Sequence, residues 1–472
     1  MANINANRRL FLKRAAVAAG ALTIARYLPG PNLLAATAGG NKLNCALIGC
    51  GGRGMNHLEE CLKENLVAIV DPDESKHAKV QKWLKDKKKT AGKFQTFTDY
   101  RQMFDKMAKG IDAVFIAAPN HHHAPASMIA MQAGKGVYCE KPVCHDVAEA
   151  RKLREMAVKY KVATQMGNQG HCQEGYRRLC EFIWAGVVGK ITETHSWTNR
   201  ANGGRGPRPA KLPIPAGMVW DSWVGPAPYR DFHGDLTPHE WHGWYDFGNG
   251  GLGNLGCHVL DGVFWALKLE HPTSFETEEM WNGTNERLPT GSRVRWDFPA
   301  RGDMPPLKAY WYDGRKGNED PGDGPKEYHE GTKGPKNLPP LMIELQKKYP
   351  DEEFDSSGTL YVGEKGILYT GTYGGRMHIM PIEKMKEITE PPKTLPRPRN
   401  CFQDFIEAVR AGKTDTATSF DYGTRLTEFT LLGNLAQHAG PNKKVEWDGP
   451  NMRVTNLPEL NKFVKIEYRK GW

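Results

Sequence analysis

The sequence predicts an α/β fold: a doubly wound parallel sheet on the amino-terminal side, followed by a second, α+β domain. Three observations carry this expectation. Short apolar runs alternate with amphipathic helical patterns from Leu43 to about Thr164, as in βαβ units. The first apolar run breaks into a glycine turn that opens a helix. The chain's 472 residues also exceed what one hydrophobic core usually supports.

The first strand, Cys45-Ala46-Leu47-Ile48, suits a position buried on both faces. It leads into Gly49-Cys50-Gly51-Gly52-Arg53-Gly54, a G-x-G-x-x-G turn. Gly49 permits the tight turn, Gly51 a close approach of backbone to a pyrophosphate, and Gly54 close packing of helix on strand. The N–H groups at the start of that helix face the phosphates. The second strand, Leu66–Val70, ends at Asp71, placed to accept hydrogen bonds from an adenosine ribose. A carboxylate there repels a 2′-phosphate, so NAD is favoured over NADP, with Arg53 and Lys76 the basic residues that would soften the choice.

The formal net charge is +10, but Arg8, Arg9, Lys13, Arg14 and Arg26 all precede residue 40, where no acidic residue occurs. The remaining excess is mild, and no basic run or aromatic module marks a nucleic-acid surface. Paired arginines before Leu10-Phe11-Leu12-Lys13, then an alanine-rich run, resemble a twin-arginine export signal. Ala36-Thr37-Ala38 supplies a cleavage site, so residues 1–38 are set aside and the mature chain starts at Gly39. The apolar run is too short to span a membrane. Export by this route makes the twin-arginine machinery a partner and the periplasm the destination. Nine scattered cysteines without a C-x-x-C pair indicate neither a disulfide framework nor a zinc site.

Beyond Asp71 the pattern gives a helix over 76–87, a strand over 111–117, a helix over 124–133, a strand over 136–139, a helix over 146–160 and a strand over 162–165. The nucleotide domain therefore covers 41–166 and the second domain 167–472. Ligands of such sheets sit beyond the carboxyl ends of the strands. That rule singles out Pro119-Asn120-His121-His122-His123 and Glu140-Lys141-Pro142. Adjacent histidines point in different directions and cannot share one ion, so no metal is expected. His123 is read as opening its helix beneath the nicotinamide ribose, and Lys141 as lying over the reactive end of the nucleotide, where it polarises a substrate hydroxyl.

The glycine turn, Pro119-Asn120 with His123, and Glu140-Lys141-Pro142 together resemble the glucose-fructose oxidoreductase/inositol dehydrogenase (Gfo/Idh/MocA) family. The resemblance runs on through Gln165-Met166-Gly167-Asn168-Gln169-Gly170-His171 and a helix around Arg177–Ala185, then Val188-Gly189-Lys190-Ile191 opening a strand. It implies a large, open, mixed sheet in the second domain that covers the nicotinamide and forms a dimer or tetramer interface. It also implies that Asn168 belongs with the cofactor residues, and Gln169 and Arg177 with the substrate.

Residues 218–262 hold Trp220, Trp223, Trp241 and Trp244 among glycines and prolines. Flat apolar faces beside polar tips suit carbohydrate rings, which nominates Trp241, Trp244 and Asp246 as substrate residues. Asn254 and His258 lie one helical turn apart and can meet at one point. The family carries Asp-x-x-x-His here, the histidine as general base or acid and the aspartate orienting it. Asparagine cannot stabilise an imidazolium as a carboxylate does, and Asp246 and Asp261 are the nearby substitutes.

Residues 300–357 lack periodicity and read as a long insertion. Strands at 359–362 and 367–370 flank the turn Gly363–Gly366, the Pro-rich 391–398 connects, and helices near 401–411 and 422–439 return to the domain junction. The expected function is an exported oxidoreductase moving a hydride between a sugar CH–OH group and tightly held NAD, with His258 taking the hydroxyl proton and Lys141 stabilising the alkoxide. The alternative, by resemblance, is an NAD-dependent glycoside hydrolase that oxidises C3 transiently and cleaves by elimination.

Overall fold

The computed structural model describes residues 42–200, 202–204, 206–317 and 335–472. Residues 1–38, where the sequence predicts an export signal, lie outside the described residues.

Six parallel strands form the first sheet: β1 (Asn44–Ile48), β2 (Asn65–Val70), β3 (Gln95–Phe97), β4 (Ala113–Ile116), β5 (Gly136–Glu140) and β6 (Thr164–Gly167). Their order, β3-β2-β1-β4-β5-β6, reverses direction at β1, so the carboxyl ends of β1 and β4 flank a crevice. One face is covered by α1 (Gly54–Lys63) and α2 (Glu74–Asp86), the other by α3 (Tyr100–Met107), α4 (Asn120–Gln132) and α5 (Val147–Tyr160). Strand β3 and helix α3 were not anticipated. Three residues are too few to show alternation, and Tyr100, Met103 and Phe104 make a narrow apolar stripe. Sequence signals set the boundaries elsewhere: Asp73 accepts from Ser75 N–H to start α2, and Asp146 with Glu149 forms a capping box on α5.

Helix α6 (Glu174–Trp184) leads into a nine-stranded mixed sheet, β13-β12-β11-β7-β10-β9-β8-β14-β15. Its strands are β7 (Ile191–Thr198), β8 (Ser274–Trp281), β9 (Gly291–Phe298), β10 (Leu307–Gly314), β11 (Ser357–Gly363), β12 (Gly366–Gly371), β13 (His378–Met380), β14 (Val445–Asp448) and β15 (Arg453–Val454). Only β7 and β10 pair in parallel. Reading 300–357 as a plain insertion is therefore corrected. Leu307, Ala309 and Trp311 alternate inward on a central strand, and α7 (Pro340–Lys348) packs Met342 and Leu345 onto Trp197, Leu360 and Tyr369 on the other face. Glycine, proline and acidic residues on both sides hid that alternation.

Helices α8 (Cys401–Ala411) and α9 (Phe420–Ala439) return as expected. Phe405, Ala408 and Val409 of α8 join the core beneath β1, β4 and β5, while α9 packs on α5 and on the inner face of the mixed sheet. A disulfide joins Cys172, after β6, to Cys401 at the start of α8, with Cα atoms 5.6 Å apart. This corrects the expectation of no disulfides. The partners are 229 residues apart, so only the fold brings them within bridging distance. The other seven described cysteines are buried thiols.

Candidate active site

The glycine turn has the shape a pyrophosphate needs. Gly49 sits at φ +88°, and a Cβ there would lie 2.5 Å from the Ala117 carbonyl oxygen. A Cβ on Gly54 would meet Gly49's carbonyl, whereas Gly51 and Gly52 face open space. The turn is thus closed toward the sheet and open toward the crevice. Asp71 ends β2 as expected, and its carboxylate accepts from the backbone N–H of Cys50 (2.9 Å) and of Asp73 (3.0 Å). Burial raises its pKa against those bonds. Of the two basic residues nearby, Lys76 pairs with Asp73 at 3.1 Å, and Arg53 turns the other way.

Arg53 Nε and His57 Nε2 each lie 2.8 Å from Glu140 Oε1. Against the desolvation of this buried carboxyl, the His57 hydrogen bond and the Arg53 charge hold its pKa well below the usual range. Glu140 thus binds the glycine turn to the loop that presents Lys141. His123 fixes the same loop. Its Nδ1 lies 2.6 Å from the Pro142 carbonyl oxygen and its Nε2 2.7 Å from that of Ala118. With both nitrogens engaged and the ring buried, His123 clamps the loop instead of reaching a ribose, a correction to its expected role. Pro119 caps α4, and the Asn120 amide donates to Asn249 Oδ1 at 2.9 Å. His121 and His122 both contact the Trp223 carbonyl oxygen, at 3.0 and 2.9 Å. His121 and His122 therefore dock the two domains, whereas His123 clamps within the nucleotide domain, and no metal-binding cluster occurs among the described residues.

Lys141 Nζ donates to the Asn254 carbonyl oxygen (2.6 Å) and to Asn254 Oδ1 (3.1 Å). Burial lowers the lysine pKa, opposed by Glu140. Asn254 lies in a π-helical turn, Leu252–Gly256, whose wider spacing replaces the regular α-helical step. It therefore does not orient His258. Its amide holds Lys141 and Asn202 instead (Nδ2 to Oδ1, 3.1 Å).

His258 Nδ1 lies 2.8 Å from Asn168 Oδ1, so Asn168 sits against the histidine ring. Burial, then the Lys141 charge, push the His258 pKa well below its usual value, which keeps the imidazole neutral at neutral pH. The Tyr373 ring approaches edge-on, with centroids 5.1 Å apart, and its hydroxyl accepts from Gln169 Nε2 at 3.1 Å. Sequence reasoning missed Tyr373. Its only signal is the glycine-rich Gly371-Thr372-Tyr373-Gly374-Gly375 after β12, where Tyr373 takes φ +62°.

Residues 43–168 match the profile described as an oxidoreductase family with an NAD-binding Rossmann fold, and residues 187–283 match the C-terminal α/β domain of that family. The chain belongs to the Gfo/Idh/MocA oxidoreductases. It is similar to an inositol 2-dehydrogenase of Serratia proteamaculans, 28% identical over 158 residues, which is 32% of this chain and 44% of that protein. A glycosyl hydrolase family 109 protein of Stenotrophomonas maltophilia is 36% identical over 112 residues, 22% of this chain and 24% of that one. The chain thus matches these curated relatives over less than half their length. In fold it is similar to the WlbA dehydrogenase from Bordetella pertussis, solved with NADH and UDP-GlcNAcA (TM-score 0.56, 15% identity, 86% of this chain and 99% of that one).

Three substrate expectations for this Gfo/Idh/MocA chain are corrected by packing. Arg177 is buried and donates to the carbonyls of Pro396 (2.5 Å), Gln173 (3.2 Å) and His171, so it ties backbone together. Trp244 is fully buried, with its indole N–H on the Asp235 carbonyl (2.8 Å) and the Arg230 and Arg287 guanidinium groups over its ring. Asp246 pairs with Arg230. Trp241, half-buried, stacks on His242 with centroids 3.6 Å apart.

Proposed function

We propose that this chain is an exported oxidoreductase that takes a hydride from the CH–OH carbon of a sugar or sugar derivative and keeps its NAD bound. The observation that carries this reading is the meeting of Lys141, from the nucleotide domain, with Asn254 and His258, from the second domain. The open face of the glycine turn at Gly51 and Gly52 fits the pyrophosphate, and Asp71 the adenosine ribose. Bound NAD supplies the hydride acceptor. His258, neutral and with Nδ1 on Asn168, has Nε2 available to take the hydroxyl proton. The Lys141 ammonium, aimed by Asn254, stabilises the oxyanion that forms. Tyr373 and Gln169 line the same region.

Retention of the nucleotide is supported by a strap from the second domain. Gly217 and Val219 bond to Glu74 and Pro72 beside Asp71 (2.9 and 2.8 Å), and His121 and His122 hold the strap again at Trp223. Export is supported by the paired arginines of the leader and by the Cys172–Cys401 disulfide, a bond that persists in oxidising compartments. A homo-oligomer, dimer or tetramer, built on the open sheet completes the reading.

A second reading, glycoside cleavage through transient oxidation and elimination, is favoured by the match to the family 109 protein. One experiment separates the two. The purified chain is heat-denatured, released nucleotide is identified by mass spectrometry, and intact protein is offered free sugars and glycosides. Net reduction of NAD by a free sugar supports the first reading. Glycoside cleavage with no net redox change supports the second, and absence of bound or binding nucleotide overturns both.

A further inference from the structure

Asp261 is fully buried, and three donors surround its carboxylate: the Tyr422 hydroxyl on Oδ1 at 2.5 Å, His171 Nδ1 at 3.0 Å, and Asn168 Nδ2 on Oδ2 at 3.1 Å. Asn168 Nδ2 donates a second time, to the Cys257 carbonyl oxygen at 3.0 Å. An amide nitrogen only donates and its oxygen only accepts. Two acceptors on the nitrogen therefore fix the amide with Oδ1 toward His258. The partner nitrogen, His258 Nδ1 at 2.8 Å, must then carry the proton. A flipped amide would set its oxygen against two acceptor oxygens, those of Cys257 and Asp261.

We infer that Asp261, acting through Asn168, is the positioning residue that holds His258 as the Nδ1–H imidazole with its Nε2 lone pair turned to the site. This rests on the reading of His258 as the base. It explains how the chain tolerates asparagine at 254: the carboxylate is present, one amide further away, on a different element.

The relay is rigidly built. His171 stacks on Trp265 with centroids 3.9 Å apart, and Arg177 bonds the His171 carbonyl. The disulfide at Cys172 pins the far end of the loop that begins at Asn168. The charged groups around His258 are Lys141, Arg53 and Arg200, with Glu140 opposing them. The titratable groups around Asp261, besides His171 and Tyr422, are Tyr176, Tyr361, Cys180, Cys257 and Arg177.

The test is [15N]histidine labelling of the full chain and long-range proton–nitrogen NMR at neutral pH, with His258 assigned among sixteen histidines by its loss in His258→Gln. Wild type is expected to show neutral His258 protonated on Nδ1 alone. Asp261→Asn should free the Asn168 amide and raise the Nε2–H form at least several-fold. The exchange Asn168→Asp with Asp261→Asn moves the carboxylate directly onto His258. It should restore the pure Nδ1–H form and raise the histidine's titration by a pH unit or more, which a merely structural role would not do. Nε2–H as the main form in wild type overturns the inference without any variant. A pure Nδ1–H form in Asp261→Asn overturns it as well. If the tautomers behave as expected while no sugar or glycoside is turned over, this inference stands and the assignment of His258 as base falls.

Discussion

Lys141 Nζ is held by Asn254 through two oxygens of one residue, the backbone carbonyl at 2.6 Å and the side-chain amide at 3.1 Å. The contact crosses between domains and aims the ammonium without neutralising it, since neither oxygen is charged. A carboxylate at 254 would form an ion pair with the lysine and raise its pKa.

That difference gives the first prediction. Asn254→Asp should extend the alkaline limb of the pH–rate profile for nucleotide reduction upward by about one pH unit or more, because an adjacent carboxylate keeps Lys141 protonated. Lys141→Met and His258→Ala should each lower turnover by roughly 10²–10⁴, the usual scale for acid-base groups, with nucleotide still copurifying. Full activity in either variant would remove that residue from the chemistry.

The parts legible in the sequence are those written in local pattern. The glycine turn, the buried strands around it and the boundaries of α8 come from apolar runs, glycine spacing and helix caps within a few residues of each other. What escaped depends on distant partners. Asn168 reaches His258 across 90 residues, Gln169 reaches Tyr373 across 204, and the disulfide closes 229. Tryptophan shows the same limit. Composition cannot tell a ring offered to a sugar from Trp244, which fills a core between two guanidinium groups.

Asp71 offers a second test. The wild-type chain should bind NAD more tightly than NADP, and Asp71→Asn should narrow the gap. Because Asp71 also accepts the N–H groups of Cys50 and Asp73, the variant should unfold at lower denaturant, by about 1–3 kcal/mol for weakened buried hydrogen bonds. Paired titrations with both nucleotides and a denaturant melt check the two effects. Equal affinities in wild type would show that the carboxylate serves the turn alone.

The disulfide should be structural. Cys172→Ser with Cys401→Ser, or prior reduction, should cost about 2–5 kcal/mol of unfolding free energy, since a cross-link closing so long a loop restricts the unfolded chain strongly. Native protein should present no reactive thiol, the remaining described cysteines being buried. Identical denaturant midpoints with and without reductant would mean that the bridge contributes nothing.

The last prediction concerns acid. His122 is fully buried, its Nε2 on the Trp223 carbonyl, and burial lowers its pKa from 6.5 to about 4. His121, its centroid 4.2 Å away, shares the same carbonyl and is also pushed down by burial. A histidine whose folded pKa lies below its unfolded one binds more protons when unfolded, so its stabilising effect is complete above pH 6.5 and is lost as pH falls toward 4. Buried acids act the other way: burial lifts Asp146 to about 6 and Glu149 to about 8, favouring the fold at low pH. The total pH dependence of stability therefore mixes both signs, and the histidine must be isolated by comparison. His122→Gln can still donate to Trp223 but cannot titrate. Relative to wild type it should gain roughly 1.4 kcal/mol per pH unit between pH 6.5 and 4. Nucleotide release from wild type should quicken only near pH 4 and below, where folded His122 begins to take up its proton beside His121 and loosens the strap over Asp71. Denaturant melts of both proteins at half-unit pH steps measure the gain, and a constant difference across the window would show that His122 is not held neutral by the fold.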